Sequence, residues 1–133
     1  MIAWCADTRL DHSLTLRLLR QALRLRAPAP GLIDHSDRGA QYAATAYREL
    51  LSVHGAVSST SRRGNCSDNA VAESFFATLT TELVHRVLWP TRSAATQDLE
   101  RFFAWYNHQR RHAALGYRSP VDYERTLARV LSA

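Results

Sequence analysis

The spacing of apolar residues predicts helices alternating with short strands along the chain. Leucines at 14, 18, 19 and 23 recur at helical spacing behind Asp11, a suitable N-cap residue, and they predict a first helix that ends before the loop at 27–31. Gly55 and Gly116 follow further helical segments and are expected to end them. Further helices are predicted at about 43–54, after Asp68, at 93–114 and from Pro120, and strands at 2–6, 32–33 and 56–58.

This order of elements, β-α-β-α-β-α-α-α, is typical of an α/β domain. The length of 133 residues and the hydrophobic content of 46% are those of one globular domain, which excludes a disordered tail. No uncharged apolar run approaches the roughly 18 residues that a bilayer span needs, so we expect no membrane partner.

The charge balance favours a nucleic-acid partner. All 17 basic residues are arginine, and with 12 acidic residues they give a net charge of +5. The guanidinium group stays protonated and presents a planar fork that matches phosphate. Codon bias is an alternative reason for arginine in place of lysine, but it does not explain the net excess.

Two carboxylates are candidates for metal chemistry. Asp37 directly follows a short apolar strand candidate, and Glu73 lies on the flank of the apolar stripe of the third predicted helix. Carboxylate oxygens are the ligands that Mg²⁺ and Mn²⁺ prefer, and two-metal phosphoryl transfer needs several of them together. Taken alone, the alternatives are that Asp37 is a turn residue and that Glu73 is solvated.

Longer motifs surround these two acids. They are HSDRGAQY at 35–42, SRRGNCSDNA at 61–70 and ESFF at 73–76. A C-terminal set comprises Tyr106-Asn107, Arg110, His112, Leu115-Gly116-Tyr117 and Ser119-Pro120. In these motifs and their order, the sequence resembles the integrase core of bacterial insertion-sequence transposases, the DDE group related to retroviral integrases.

The resemblance implies a ribonuclease-H-like α/β fold and a metal-dependent reaction. Asp37 and Glu73, with 35 residues between them, match the second and third acidic residues of the family. They are expected to bind Mg²⁺ or Mn²⁺ in a two-metal site that cleaves and joins DNA strands without a covalent protein intermediate. The implied partners are DNA, as element ends and target duplex, and further copies of this chain or of an intact transposase. The expected location is the bacterial cytoplasm, in association with the nucleoid.

The first acidic residue of the family has no match in this sequence. Asp7 and Asp11 fall at the start of the first predicted helix, and Asp34 is only three residues from Asp37. We therefore expect a single integrase-core domain over 1–133, N-terminally truncated and lacking the first strands of the fold, with a core part at 1–88 and a helical part at 89–133. Such a chain is expected to be inactive alone. The alternative is a non-catalytic remnant that binds DNA or inhibits an intact transposase.

Other polar residues near the motifs have a functional and a structural interpretation. Arg38, Arg62 and Arg63 are predicted to contact the DNA backbone, or else they belong to solvated turns. His35 and Asn69 either support the metal site or serve a local structural role. His108 and His112 have the i, i+4 spacing of helical zinc pairs, but without further ligands nearby, packing or DNA contact is the better interpretation.

Overall fold

The computed structural model describes residues 1–8, 11–61 and 70–131. The chain divides into two compact units, one formed by residues 2–76 and the other by Met1 together with residues 77–133. We describe each unit by itself.

The unit of residues 2–76 is built around a two-stranded parallel sheet. Helix α1 spans His12–Arg26, strand β1 Ile33–Ser36, helix α2 Ala40–Ala43, helix α3 Thr45–Val53 and strand β2 Val57–Thr60. The helix predicted at about 43–54 is confirmed as α3, and Ala44, with φ of −59° and ψ of 137°, separates it from the short α2 that precedes it. Helix α4, at Ala70–Glu82, begins in this unit.

Local sequence signals explain where α1 begins and ends. The Asp11 carboxylate accepts hydrogen bonds from the backbone N–H groups of Ser13 and Leu14, as predicted for the N-cap. Ala27 then adopts a left-handed conformation at the C-cap. The leucine stripe of α1 contributes to a core cluster that also includes α3 and consists of Leu19, Leu23, Tyr47 and Leu51.

The two strands pair in parallel, with Ile33 opposite Val57 and Ser36 opposite Thr60. Helices α2 and α3 form the crossover that parallel pairing requires. Both strands lie where apolar runs predicted them. The strand predicted at 2–6 is wrong, since no strand is present there. An apolar run forms a strand only when another strand pairs with its backbone groups, and none of the described residues does so.

The other unit is helical. Helix α5 spans Arg92–His108 and helix α6 spans Pro120–Leu131, and the two pack against each other. The Thr91 hydroxyl caps α5, and the Ser119 hydroxyl accepts a hydrogen bond from the Asp122 N–H at 3.2 Å at the start of α6. None of the helices in the described ranges is long and apolar enough to cross a membrane.

Helix α5 is shorter than predicted. It ends at His108, and residues 113–115 form a separate 3₁₀ turn closed by Gly116 in the left-handed region. The Arg110 N–H bonds to the Trp105 carbonyl, so the chain turns away from the helix axis at this point. The apolar residues beyond His108 therefore belong to a folded turn, not to the helix.

Candidate functional site

Asp37 lies directly after the carboxyl end of β1. One of its carboxylate oxygens, Oδ1, accepts a hydrogen bond of 2.8 Å from the Gly39 N–H, which holds the turn that leads into α2. The other oxygen, Oδ2, has no hydrogen-bond partner within the described ranges, and the residue is exposed. This oxygen is therefore open to a ligand from solvent.

Asp37 lines an open depression of about 410 Å³ beside the sheet. In open α/β sheets, the carboxyl ends of parallel strands are where ligands usually bind. The depression combines carboxylate, hydroxyl and guanidinium groups. Its lining residues are Asp37, Arg38, Gly39, Tyr42, Ala43, Arg48, Ser58 and Thr60.

Two arginines flank the carboxylate from different elements. The Arg38 Nε donates a hydrogen bond of 2.9 Å to the Ser61 carbonyl, so Arg38 links the loop after β1 to the end of β2. Arg48 reaches the same depression from α3. Sequence reasoning missed Arg48, because only the packing of α3 beside the sheet brings it near Asp37. The depression thus carries two cationic groups next to one carboxylate.

His35 is held between two serine hydroxyls, one in β2 and one directly after its end. Its Nδ1 lies 3.0 Å from the Ser59 Oγ, and its Nε2 lies 3.2 Å from the Ser61 Oγ. Ser61 is buried, and its N–H donates to the Ser36 carbonyl at 3.0 Å. These contacts fix the ring orientation next to the strand end that carries Asp37. The predicted support of a metal site by His35 stays a prediction.

Two tyrosines interact with the acidic residues Asp34 and Asp37. Burial raises the pKa of Tyr42, and the charge of Asp37 raises it further. The ring of Tyr42 packs edge-on against Tyr47 at 5.4 Å between centroids. The Tyr47 hydroxyl donates to the Asp34 carboxylate, whose pKa is raised by burial. Asp34 pairs in register with Ser58, which lines the depression, so the two side chains project from the same face of the sheet, but Asp34 itself does not line the depression.

Glu73 lies in the first turn of α4 and is exposed. It belongs to the same compact unit as Asp37 but does not line the depression. Arg62, Arg63 and Asn69 lie outside the described residues. Within the described ranges, no three His, Cys, Asp or Glu side chains group around a common point. The oxygen atoms available at the depression belong to carboxylate and hydroxyl groups, and these are the types of ligand that suit Mg²⁺ or Mn²⁺.

The histidines of the helical unit do not form a zinc site with other described residues. His112 packs edge-on against Tyr106, with 4.9 Å between ring centroids, and burial lowers the pKa of His112. His108 is exposed at the end of α5. Of the two interpretations of His112 left open by the sequence, packing or DNA contact, the structure shows packing against Tyr106.

Comparison with known proteins identifies the family. A family model described as "Integrase core domain" matches residues 54–120, and a second model with the same description matches residues 1–66. The chain belongs to the integrase core domain family, as found in transposases of insertion sequences. Its mixed α/β architecture is compatible with a ribonuclease-H-like fold.

Individual relatives agree with this assignment. The chain is 40% identical to the transposase for insertion sequence element IS904 of Lactococcus lactis subsp. lactis, over 94% of the chain and 50% of that protein. It is 32% identical to the putative transposase InsK for insertion sequence element IS150 of Escherichia coli, over 92% of the chain and 44% of the relative. The chain thus spans about half the length of the curated relatives it matches.

Proposed function

We propose that this chain contributes two metal-binding carboxylates, Asp37 and Glu73, to a site that cleaves and joins DNA strands during transposition. One observation carries the proposal: Asp37 follows the end of β1 in a depression flanked by Arg38 and Arg48, within a chain of the integrase core family. Guanidinium groups bind phosphate oxygens, and a carboxylate beside them can bind the divalent cation that accompanies a phosphodiester.

The residues of the depression have distinct roles in this proposal. Asp37 offers a cation its free Oδ2, while the Gly39 N–H keeps the carboxylate oriented. Arg38 and Arg48 bind non-bridging phosphate oxygens and hold the DNA backbone over Asp37. His35, fixed by Ser59 and Ser61, keeps the end of β1 in position.

Glu73 supplies the second carboxylate from the first turn of α4. Asp37 and Glu73 would hold the divalent cations, and the chemistry supplied by bound cations would be activation of a water or a 3′-hydroxyl and stabilisation of the leaving oxygen. Arg62 and Arg63 are proposed to contact the DNA backbone, and Asn69 to support the metal site. DNA is therefore the proposed substrate, and synapsis of two DNA ends requires more than one copy of the protein.

We further propose that these 133 residues do not join strands on their own. No residue in them matches the first acidic residue of the family, and two carboxylates neutralise and position a pair of divalent cations less well than three. An intact site then requires the fold's first strands, which carry that residue in the family.

The test is Mn²⁺ binding, followed by electron paramagnetic resonance during a titration of the full chain. We expect Asp37→Asn and Glu73→Gln each to weaken binding by about tenfold or more, and the double variant to abolish it. Glu100→Gln is the matched control, since Glu100 is an exposed carboxylate of α5 outside the proposed site. Unchanged Mn²⁺ affinity in both site variants would refute the metal site.

A strand-transfer assay with a pre-cleaved DNA end tests the proposal that these 133 residues do not join strands on their own. We expect no joined product with Mg²⁺ or Mn²⁺. Joining that is lost on Asp37→Asn would contradict the proposed inactivity while supporting the role of Asp37. DNA binding without any carboxylate-dependent Mn²⁺ binding would instead favour a non-catalytic DNA-binding protein.

A further inference from the structure

Helix α1 has an unusual charge distribution. Within His12–Arg26 the sequence HSLTLRLLRQALRLR contains four arginines and no acidic residue. The two helices of the other unit mix the two charges, with Asp98 and Glu100 in α5 and Asp122 and Glu124 in α6. The cationic excess of the chain is therefore concentrated on one helix of the unit that contains Asp37.

Three of these arginines share one face of α1. Arg17, Arg20 and Arg24, which we call the arginine face, are spaced i, i+3 and i+7, so they fall within a sector of about 60° and span about 10 Å of the helix axis. Together with Gln21 they line a shallow, open depression of about 370 Å³. This surface is concave, cationic and rich in hydrogen-bond donors.

The apolar side of α1 is already occupied. Leu19 and Leu23 are buried in the core cluster with Tyr47 and Leu51 of α3. An amphipathic helix that binds a lipid surface needs its apolar side free for the bilayer. The arginine face is thus suited to a polar anionic partner and not to a membrane.

The charges of the arginine face are mostly uncompensated. Arg17 pairs with Asp7 at 2.6 Å, whereas Arg20 and Arg24 have no carboxylate partner in the described part of the chain. Like charges at i, i+3 and i, i+4 cost an isolated helix about 0.2–0.5 kcal/mol per pair. By contrast, Arg101 pairs with Asp98 in α5, and Arg125 lies 3.9 Å from Asp122 in α6. A bound polyanion would remove the repulsion on α1.

We propose that the arginine face binds the phosphate backbone of duplex DNA, as a contact surface additional to the depression at Asp37. The proposal rests on the proposed function in one respect, that DNA is the substrate. Duplex DNA carries about one charge per 1.7 Å of its axis, so a surface about 10 Å long faces several phosphates. Because only backbone groups are involved, the contact is independent of DNA sequence.

The test measures how the affinity of the full chain for a fluorescent duplex of arbitrary sequence falls with NaCl concentration. Each phosphate contact contributes about −0.9 to the slope of log K against log salt. We expect R20A/R24A to reduce the steepness of the slope by about 1.8, and R20K/R24K to retain it, because the slope counts charges. Alanine favours helix, and circular dichroism checks that each variant keeps its helix content.

The matched control is R101A/R125A, which removes the same formal charge from arginines that already face carboxylates. We expect its slope to equal that of the unchanged protein. Equal slopes for R20A/R24A and R101A/R125A would overturn the proposal, since net charge alone would then explain binding. An unchanged DNA slope with weakened binding of polyglutamate would also overturn it, in favour of an acidic protein partner.

The same titration separates this inference from the proposed function. D37N is expected to weaken Mn²⁺ binding by about tenfold or more and to keep a slope as steep as that of the unchanged chain. If D37N and E73Q both retain Mn²⁺ affinity while R20A/R24A reduces the slope, the metal site is refuted and the arginine face stands. If D37N loses Mn²⁺ affinity and R20A/R24A keeps its slope, only the arginine face is wrong.

Discussion

The Tyr47 hydroxyl lies 3.2 Å from Oδ2 of Asp34 and donates a hydrogen bond to that carboxylate. The contact links α3 to β1 beneath the strand end that carries Asp37. Burial raises the pKa of Asp34, and the hydrogen bond from Tyr47 opposes that rise only in part. The pKa of Tyr47 is itself raised by burial and by the Asp34 charge, so its hydroxyl remains a donor at neutral pH.

The raised pKa of Asp34 predicts how stability depends on pH. The folded chain holds this proton to a higher pH than the unfolded chain, whose Asp34 titrates near 3.8. The stabilising contribution of the protonated form is therefore complete below that value and is lost as the pH rises through the folded-state pKa. Charged Asp34 thus reduces stability at neutral pH.

Asp34→Asn removes this charge and keeps an oxygen that accepts from Tyr47. We expect the free energy of unfolding at pH 7 to be higher in Asp34→Asn than in the unchanged protein, with the advantage shrinking as the pH approaches 4. Urea unfolding of both proteins between pH 4 and pH 7 measures this difference in the free energy of unfolding. An advantage that grows toward low pH would contradict the assigned direction. Tyr47→Phe, which leaves the carboxylate without its donor, is expected to lower stability at pH 7.

The elements that sequence alone predicted are those with strong local signals. The Asp11 cap and the leucine spacing located α1, and short apolar runs located β1 and β2. The strand predicted at 2–6 failed because strand formation depends on a pairing partner that a local pattern does not reveal. The sequence placed the end of α5 too late, at about residue 114 and not at His108, because apolar residues continue into the turn that Gly116 closes.

The candidate site was predictable only in part. Asp37 follows a strand, as predicted, and the structure places Arg48, Ser58 and Thr60 around the same depression. These three have no signal of their own in the sequence, because α3 and β2 meet the loop after β1 only through the parallel crossover. The pairing of Asp37 with Glu73 stays a prediction.

Gly55 provides a test of the turn between α3 and β2. Its φ is +63°, and a Cβ at this position would lie 3.0 Å from the Pro30 Cβ. We expect Gly55→Ala to lower the free energy of unfolding by about 1–2 kcal/mol, because it adds left-handed strain and displaces Pro30. Gly116→Ala, at φ +62° with open space around it, carries the backbone strain alone and should cost less. Equal or reversed losses in denaturant unfolding would show that the Pro30 contact is unimportant.

Arg110 is expected to be the main polar contact of the helical unit. Its Nη1 lies 2.6 Å from both carboxylate oxygens of Glu82, and its guanidinium lies 5.3 Å from the Trp105 ring centroid. Both side chains of the pair are about one-third exposed or less, so solvent screens the pair only in part. Arg110→Ala should therefore lower stability by about 1–3 kcal/mol.

Two further variants identify the source of this stability. Arg110→Lys keeps the charge but loses the planar stacking group, so we expect it to recover only part of the loss. Arg101→Ala breaks a pair with Asp98 in which the arginine side chain is 73% exposed, and it should change stability by about 0.5 kcal/mol or less. Full recovery with lysine, measured by thermal unfolding, would mean that stacking on Trp105 contributes nothing.

The last prediction concerns the open face of the sheet. Ile33 and Val57 are paired in register, and their exposed fractions are 66% and 57%. The described part of the sheet has two strands, so each also has one edge without a strand partner. Exposed apolar side chains beside free backbone groups favour association between chains. We therefore expect the 133-residue chain to self-associate as its concentration rises.

Ile33→Thr with Val57→Thr should reduce this self-association, because threonine keeps the β-branched shape while removing apolar surface. Sedimentation velocity at several concentrations measures the effect. Val53→Thr is the control: Val53 is 83% exposed and is the last residue of α3, so it belongs to a helix and not to a strand. We expect it to associate like the unchanged protein. Because the prediction depends on the sheet and not on apolar exposure in general, equal behaviour of the two variants would contradict it.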